Sequence, residues 1–141
     1  MKIGVRIVVA LMAVAMYSCI APQNAQMVGV DVNSWSKAEC IIYENSDTIS
    51  LRNINLALRY NDDFRVAALP LKIAITTPDS LYFEEIVEFK LQHPTTAMAI
   101  STTESLPYRN RVTLNKIGAY TFSFEPLSVV RGVEAIGIEL K

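Results

Sequence analysis

The chain has 141 residues, 51% of them apolar, with 13 basic and 14 acidic groups, two cysteines, one histidine and one tryptophan. That length bounds the fold to one ordinary domain, and without a basic excess the chain is not expected to bind nucleic acid. So few histidines and cysteines argue against a metalloenzyme or a histidine-based hydrolase.

The apolar residues are unevenly spread. Fourteen of the first 18 are apolar, which leaves 47% for residues 19–141. Lys2 and Arg6 form a positive n-region and Ile7 to Met16 an apolar run of ten, the proportions of a secretory signal over residues 1–18. A spanning helix needs about 20 apolar residues, and Gly4, Arg6 and Ser18 interrupt every longer stretch. Met16-Tyr17-Ser18-Cys19 resembles a bacterial lipobox: a small residue precedes a cysteine at the end of the apolar run. Met16 and Tyr17 are bulkier than the usual leucine-small-small pattern. The competing cleavage site after Ala25 puts Gln23 where a small residue is wanted. The lipobox resemblance implies that Cys19 becomes the first mature residue and carries the acyl chains, so membrane lipid is the expected partner at that point. Two or more chains give a stable anchor where one does not.

Ile20-Ala21-Pro22-Gln23-Asn24 has neither the aspartate of inner-membrane retention nor the acidic cluster of surface export. By resemblance to lipoprotein sorting, the expected location is the outer membrane with the domain facing the periplasm. Cleavage removes two cations and leaves a net charge of −3. It also leaves Cys40 without a cysteine partner in the chain. Within Cys40-Ile41-Ile42-Tyr43 it reads as a small buried hydrophobe.

Residues 19–34 carry Pro22 and many small and amide residues with no apolar period, and are expected to be a flexible tether. Residues 35–141 are the expected folded domain. Within it, apolar residues alternate at period two, the mark of half-buried strands. Ala38 to Tyr43 is the first strand. Ile54, Leu56, Leu58 and Tyr60 share a face of the second, and Leu69, Leu71, Ile73 and Ile75 a face of the third, where Pro70 marks a strand start or an edge. Leu81, Phe83, Val87, Phe89 and Leu91 form a run broken at Glu85. Tyr108 to Leu114, Tyr120 to Phe124 and Ile136 to Leu140 complete the set. Asn61-Asp62-Asp63, Pro78-Asp79-Ser80 and Asn115-Lys116-Ile117-Gly118 are turns, and Gln92 to Pro107 is a long polar connection. The expected fold is all-β, a single antiparallel β-sandwich of about seven strands.

The polar residues that invite a chemical role mostly have a plainer reading. His93, followed by Pro94 in a polar loop, lacks a local nucleophile or orienting group and is expected to be solvated. Glu84 and Glu88 share a face flanking Ile86, and with Glu85 invoke a cation site. A charge-protected sheet edge accounts for them with less. Asp62-Asp63 likewise fits a turn better than calcium. Trp35, at the junction of tether and domain, either caps the core or offers an aromatic platform. Capping is favoured. Arg59 can pair across the sheet or meet a partner.

Trp35-Ser36-Lys37 opens the domain, and Leu58-Arg59-Tyr60-Asn61-Asp62-Asp63-Phe64 combines an arginine, an asparagine and an aromatic. Near the end stand Gly118-Ala119-Tyr120-Thr121-Phe122 and Arg131-Gly132-Val133-Glu134-Ala135-Ile136-Gly137-Ile138. In this order and spacing, from Cys19 to the C-terminus, the chain resembles the GldH gliding-motility lipoproteins of Bacteroidetes. Met98 to Leu106 departs from the family pattern, having neither its glycines nor its tryptophan. The resemblance implies an envelope lipoprotein with a small all-β domain, associated with gliding and type IX secretion. Trp35, Arg59, Asn61 and Phe64 are the residues at which partner binding or a structural role is expected. The expected function is docking onto envelope proteins, without catalysis and without a cofactor. The alternative is a ligand- or glycan-binding module using Trp35 and the aromatics near the strand ends.

Overall fold

A computed structural model describes residues 25–92 and 100–141. The described residues form eight strands: β1 (Ala25–Gly29), β2 (Glu39–Asn45), β3 (Arg52–Tyr60), β4 (Ala68–Thr76), β5 (Tyr82–Lys90), β6 (Thr102–Val112), β7 (Gly118–Pro126) and β8 (Val133–Leu140). All pairings between them are antiparallel. They build one sheet in the order β1-β8-β3-β6 and another in the order β2-β7-β4-β5. The expected all-β sandwich is present, with eight strands instead of about seven.

The alternation converts directly into the core. Ile54, Leu56, Leu58 and Tyr60 of β3 face Leu69, Leu71 and Ile73 of β4 and Tyr120, Phe122 and Phe124 of β7, together with Ile136, Ile138 and Leu140 of β8. Each such Leu, Ile or Phe removed from water contributes about 1.5–3 kcal/mol before the entropy of ordering is subtracted. Pro70 lies just before the β4–β7 ladder begins at Leu71, so its missing N–H breaks nothing. Pro107 falls where the register of edge strand β6 shifts against β3, a place that tolerates proline for the same reason.

Several boundaries differ from the sequence reading. The tether does not run to Ser34. Ala25 to Gly29 pairs with Glu139 to Ala135, Val30 N–H donates to Glu134 O at 3.0 Å and Gly132 N–H to Val32 O at 2.7 Å. The domain therefore starts by Ala25, ten residues before Trp35. This segment shows no apolar alternation because it is a short edge strand held by backbone bonds. Close approach is possible because position 137 is glycine: a Cβ there would lie 1.8 Å from the Gln26 carbonyl oxygen. Strand β6 also begins at Thr102, inside the stretch expected to be a connection. Its Thr-Thr-Glu-Ser-Leu-Pro sequence is polar because one side of an edge strand faces solvent.

Cys40 is exposed, not buried. Neighbouring β2 residues point to opposite faces, so Ile41 enters the core while Cys40 and Ile42 face outward. The expected signal peptide, Cys19 and the loop residues His93 and Pro94 lie outside the described residues.

Candidate functional site: the cleft between β5 and β6

Strand β5 ends one sheet and β6 the other, so the two edges meet along one open side of the sandwich. On β5 the inward series runs Phe83, Glu85, Val87, Phe89. Phe89 is buried, whereas Phe83 is 58% exposed. Glu85 breaks the series because it answers β6: its Oε1 accepts from the Tyr108 hydroxyl and from the Arg109 guanidinium. The Arg109 guanidinium also lies 4.8 Å from the Tyr108 ring centroid, within cation–π range. Tyr108 packs its ring against Phe89 at 6.2 Å.

Phe83, Glu85, Tyr108 and Arg109, with Ile73, Ile75 and Glu84, line a cleft of about 340 Å³. Burial pushes the Tyr108 phenol well above its ordinary pKa, and the hydrogen bond to Glu85 raises it further, so the hydroxyl remains a donor. One Glu85 oxygen is thus shared by two donors, one of them cationic. The arrangement is a polar clasp closing one side of an apolar, aromatic slot, suited to holding a surface group in place.

The outward face of β5 also carries exposed apolar residues. Tyr82 and Ile86 are both exposed; Glu84 and Glu88 share that face. Tyr82 donates to Glu84 at 2.6 Å, and Lys72 bridges toward Glu84 and Glu125. Among the described residues no group of three or more potential ligating side chains can hold a metal ion.

The residues singled out from the sequence lie elsewhere. Trp35 is 1% exposed. It forms a two-bond bridge with Val130 at 2.8 and 2.9 Å, and its indole N–H donates to Lys37 O at 2.8 Å. It closes the end of the core and presents no face for stacking. Arg59 is exposed on the outer face of β3, between Ala135 and Thr103. Asn61 and Phe64 build the turn after β3. Asn61 Oδ1 accepts from Asp63 N–H at 2.9 Å, an Asx turn, and Phe64 is buried against Tyr60 at a centroid distance of 5.2 Å. This turn sits on Gly132, with Asn61 N–H donating to Gly132 O at 2.9 Å. Arg131 reaches Asp63 at 3.8 Å.

In the sequence Phe83, Tyr108 and Arg109 are legible only as strand residues. The sequence signal for the site is the charged Glu85 inside an apolar series. The motifs that do stand out in the sequence, Arg-Tyr-Asn-Asp-Asp-Phe and Arg-Gly-Val, are the two sides of one structural contact. No curated protein matches the chain. The family model for the GldH lipoprotein matches residues 24–140, from the start of β1 to the end of β8, and so takes in the Asn61 turn, its Gly132 seat and the open cleft alike. The chain belongs to the GldH lipoprotein family.

Proposed function

We propose that the protein is a non-enzymatic lipoprotein of the outer membrane that faces the periplasm and docks onto an envelope protein along its β5–β6 edge. Family membership implies lipid anchoring by an acylated cysteine, and Cys19 is the residue at the lipobox-like position. The docking reading rests on one observation above all: β5, paired only with β4 and forming the edge of its sheet, exposes Phe83 at the cleft and Tyr82 and Ile86 on its outward face, beside the Glu85–Tyr108–Arg109 clasp. Edge strands are normally blunted by charge or covered; Glu84 and Glu88 supply charge on this edge but leave Tyr82, Phe83 and Ile86 exposed beside them, and exposed aromatics bordered by an arginine are frequent anchors of protein interfaces. The family resemblance associates such a partner with gliding or type IX secretion.

A ligand-binding role is the second reading. Trp35 is buried and offers it no platform; Phe83, exposed at the cleft mouth, is the residue that favours it. Co-purification from the native cell separates the two. Wild-type protein is expected to bring down an envelope protein that Phe83→Asp loses, both variants remaining in the membrane fraction. Equal recovery with Phe83→Asp, or capture of polysaccharide alone, overturns docking at this edge. Release of Cys19→Ala from the membrane fraction is expected, and its full retention would contradict the anchor.

A further inference from the structure

The connections at one end of the sandwich carry outward aliphatic side chains. This end gathers the β2–β3 loop, the β4–β5 turn, the β6–β7 loop and the end of β8. Asn45 Nδ2 donates to Leu114 O at 2.9 Å and to Lys116 O at 2.8 Å, Arg52 donates to the Tyr43 hydroxyl at 2.6 Å, and the Pro78 ring lies against Gly118. From these connections project Ile49, 86% exposed, Ile117, 73% exposed, and also Leu51 and Leu81. The loop that presents Ile49 and Leu51 is held in shape. Asp47 Oδ1 accepts from the Ile49 and Ser50 N–H groups, both at 3.0 Å, while Oδ2 pairs with Arg52 at 3.1 Å. Asp79, in the β4–β5 turn, is taken up by the Thr77 hydroxyl at 2.5 Å, and Glu139, near the end of β8, by the Ser105 hydroxyl at 2.6 Å. Asp47, Asp79 and Glu139 are thus engaged by protein donors, and the aliphatic groups stand out beyond them.

The opposite end also exposes Val66, Leu127 and Val129, so exposure alone does not choose an occupant. Chain length does. Ala25 pairs with Glu139, at the Ile49–Ile117 end of β8. Six peptide steps separate Cys19 from Ala25, a reach of at most about 20 Å. Val133, at the start of β8, lies six residues from Glu139, about 20 Å along the strand, and the connection carrying Val129 lies beyond it. With Cys19 in the headgroup layer, the Val129 end meets the bilayer only if the tether runs fully extended along the whole domain, whereas the Ile49–Ile117 end starts beside the anchor.

We infer that Ile49, Leu51, Leu81 and Ile117 seat the domain on the lipid surface that holds its anchor, so that the sandwich stands upright with the β5–β6 cleft opening sideways. This rests on the reading that Cys19 is acylated. Shallow burial of aliphatic side chains at the acyl boundary is weak alone and effective once an anchor holds the protein nearby.

The test uses the acylated full chain in vesicles of phosphatidylethanolamine and phosphatidylglycerol with brominated acyl chains. Native Trp35, buried at the far end, supplies a constant background. Ile117→Trp and, independently, Ile49→Trp are expected to lose about half of their added emission to bromine quenching, as for a side chain at the acyl boundary. Val129→Trp is expected to lose none. Protein that floats with the vesicles but shows no quenching at either loop position, or quenching at Val129→Trp, overturns the seating while leaving the anchor intact. Protein that fails to float overturns the anchor reading, and the seating with it.

Discussion

Gly132 is seated directly on Asn61: the Asn61 N–H donates to the Gly132 carbonyl at 2.9 Å, and a Cβ on Gly132 would stand 2.8 Å from Asn61 Oδ1 and 2.4 Å from Phe64 N. Gly132 also has φ +92, a region that L-residues avoid. Gly132→Ala combines backbone strain with a clash against backbone, and is expected to destabilise by about 2–4 kcal/mol. Asn61→Ala loses the Asx bond alone and is expected to cost about 1 kcal/mol. Urea unfolding measures both. Equal, small effects would show that the turn is not clamped on the glycine.

Cys40 and Phe122 occupy the two faces of one sheet. Phe122 is fully buried, so Phe122→Ala is expected to cost about 3–5 kcal/mol. Cys40 faces outward, so Cys40→Ser should change stability by no more than about 0.5 kcal/mol. The native thiol should also react with a thiol reagent without denaturant. A thiol that reacts only after unfolding would place Cys40 inside.

Tyr108 links the cleft to alkaline stability. Its phenol is raised by burial and then by Glu85, whereas in the unfolded chain it titrates near pH 10. Its stabilising contribution is therefore complete below about pH 10 and is lost as pH rises toward the folded value. Tyr60, pushed up to about 12 by burial and then by Glu104, acts in the same direction. Tyr108→Phe is thus expected to flatten the decline of Tm above about pH 10 without abolishing it. An unchanged alkaline limb would mean that the phenol is not held protonated by the cleft.

Asp47 acts at the other extreme. Hydrogen bonds from Ser50, then from the Ile49 N–H and Arg52, hold its carboxyl well below the usual range. A depressed folded value contributes stability above the unfolded value of about 3.9 that is lost as pH falls further. Asp47→Asn is expected to lower Tm at neutral pH and to narrow the gap from wild type as pH drops below about 4. A gap that stays constant into acid would show that the carboxylate is not what holds the loop.

Most of the fold was legible in the sequence, for a physical reason. A sheet with one face buried imposes a period of two, and β3, β4, β7 and β8 print it as Ile54-Leu56-Leu58-Tyr60 and its counterparts. The exceptions are edge strands. Strand β1 is held by its ladder to β8 and needs no apolar alternation, β6 is polar on its open side, and Cys40 sits in an apolar run of which only alternate members turn inward. The site was less legible because it joins residues distant in sequence. Nothing local pairs Glu85 with Tyr108 and Arg109; only the meeting of two sheet edges does. The conspicuous motifs around Asn61 and Gly132 record a backbone constraint.

An envelope protein is expected to occupy the β5–β6 edge in the cell. Site-specific photo-crosslinking in the native host tests it, with the photoreactive residue placed at Phe83 and, as a comparison on the opposite sheet, at Arg59. A discrete envelope-protein adduct from position 83, much weaker from position 59, is the predicted result. An adduct from position 59 and none from position 83, or adducts at position 83 with polysaccharide alone, would contradict it.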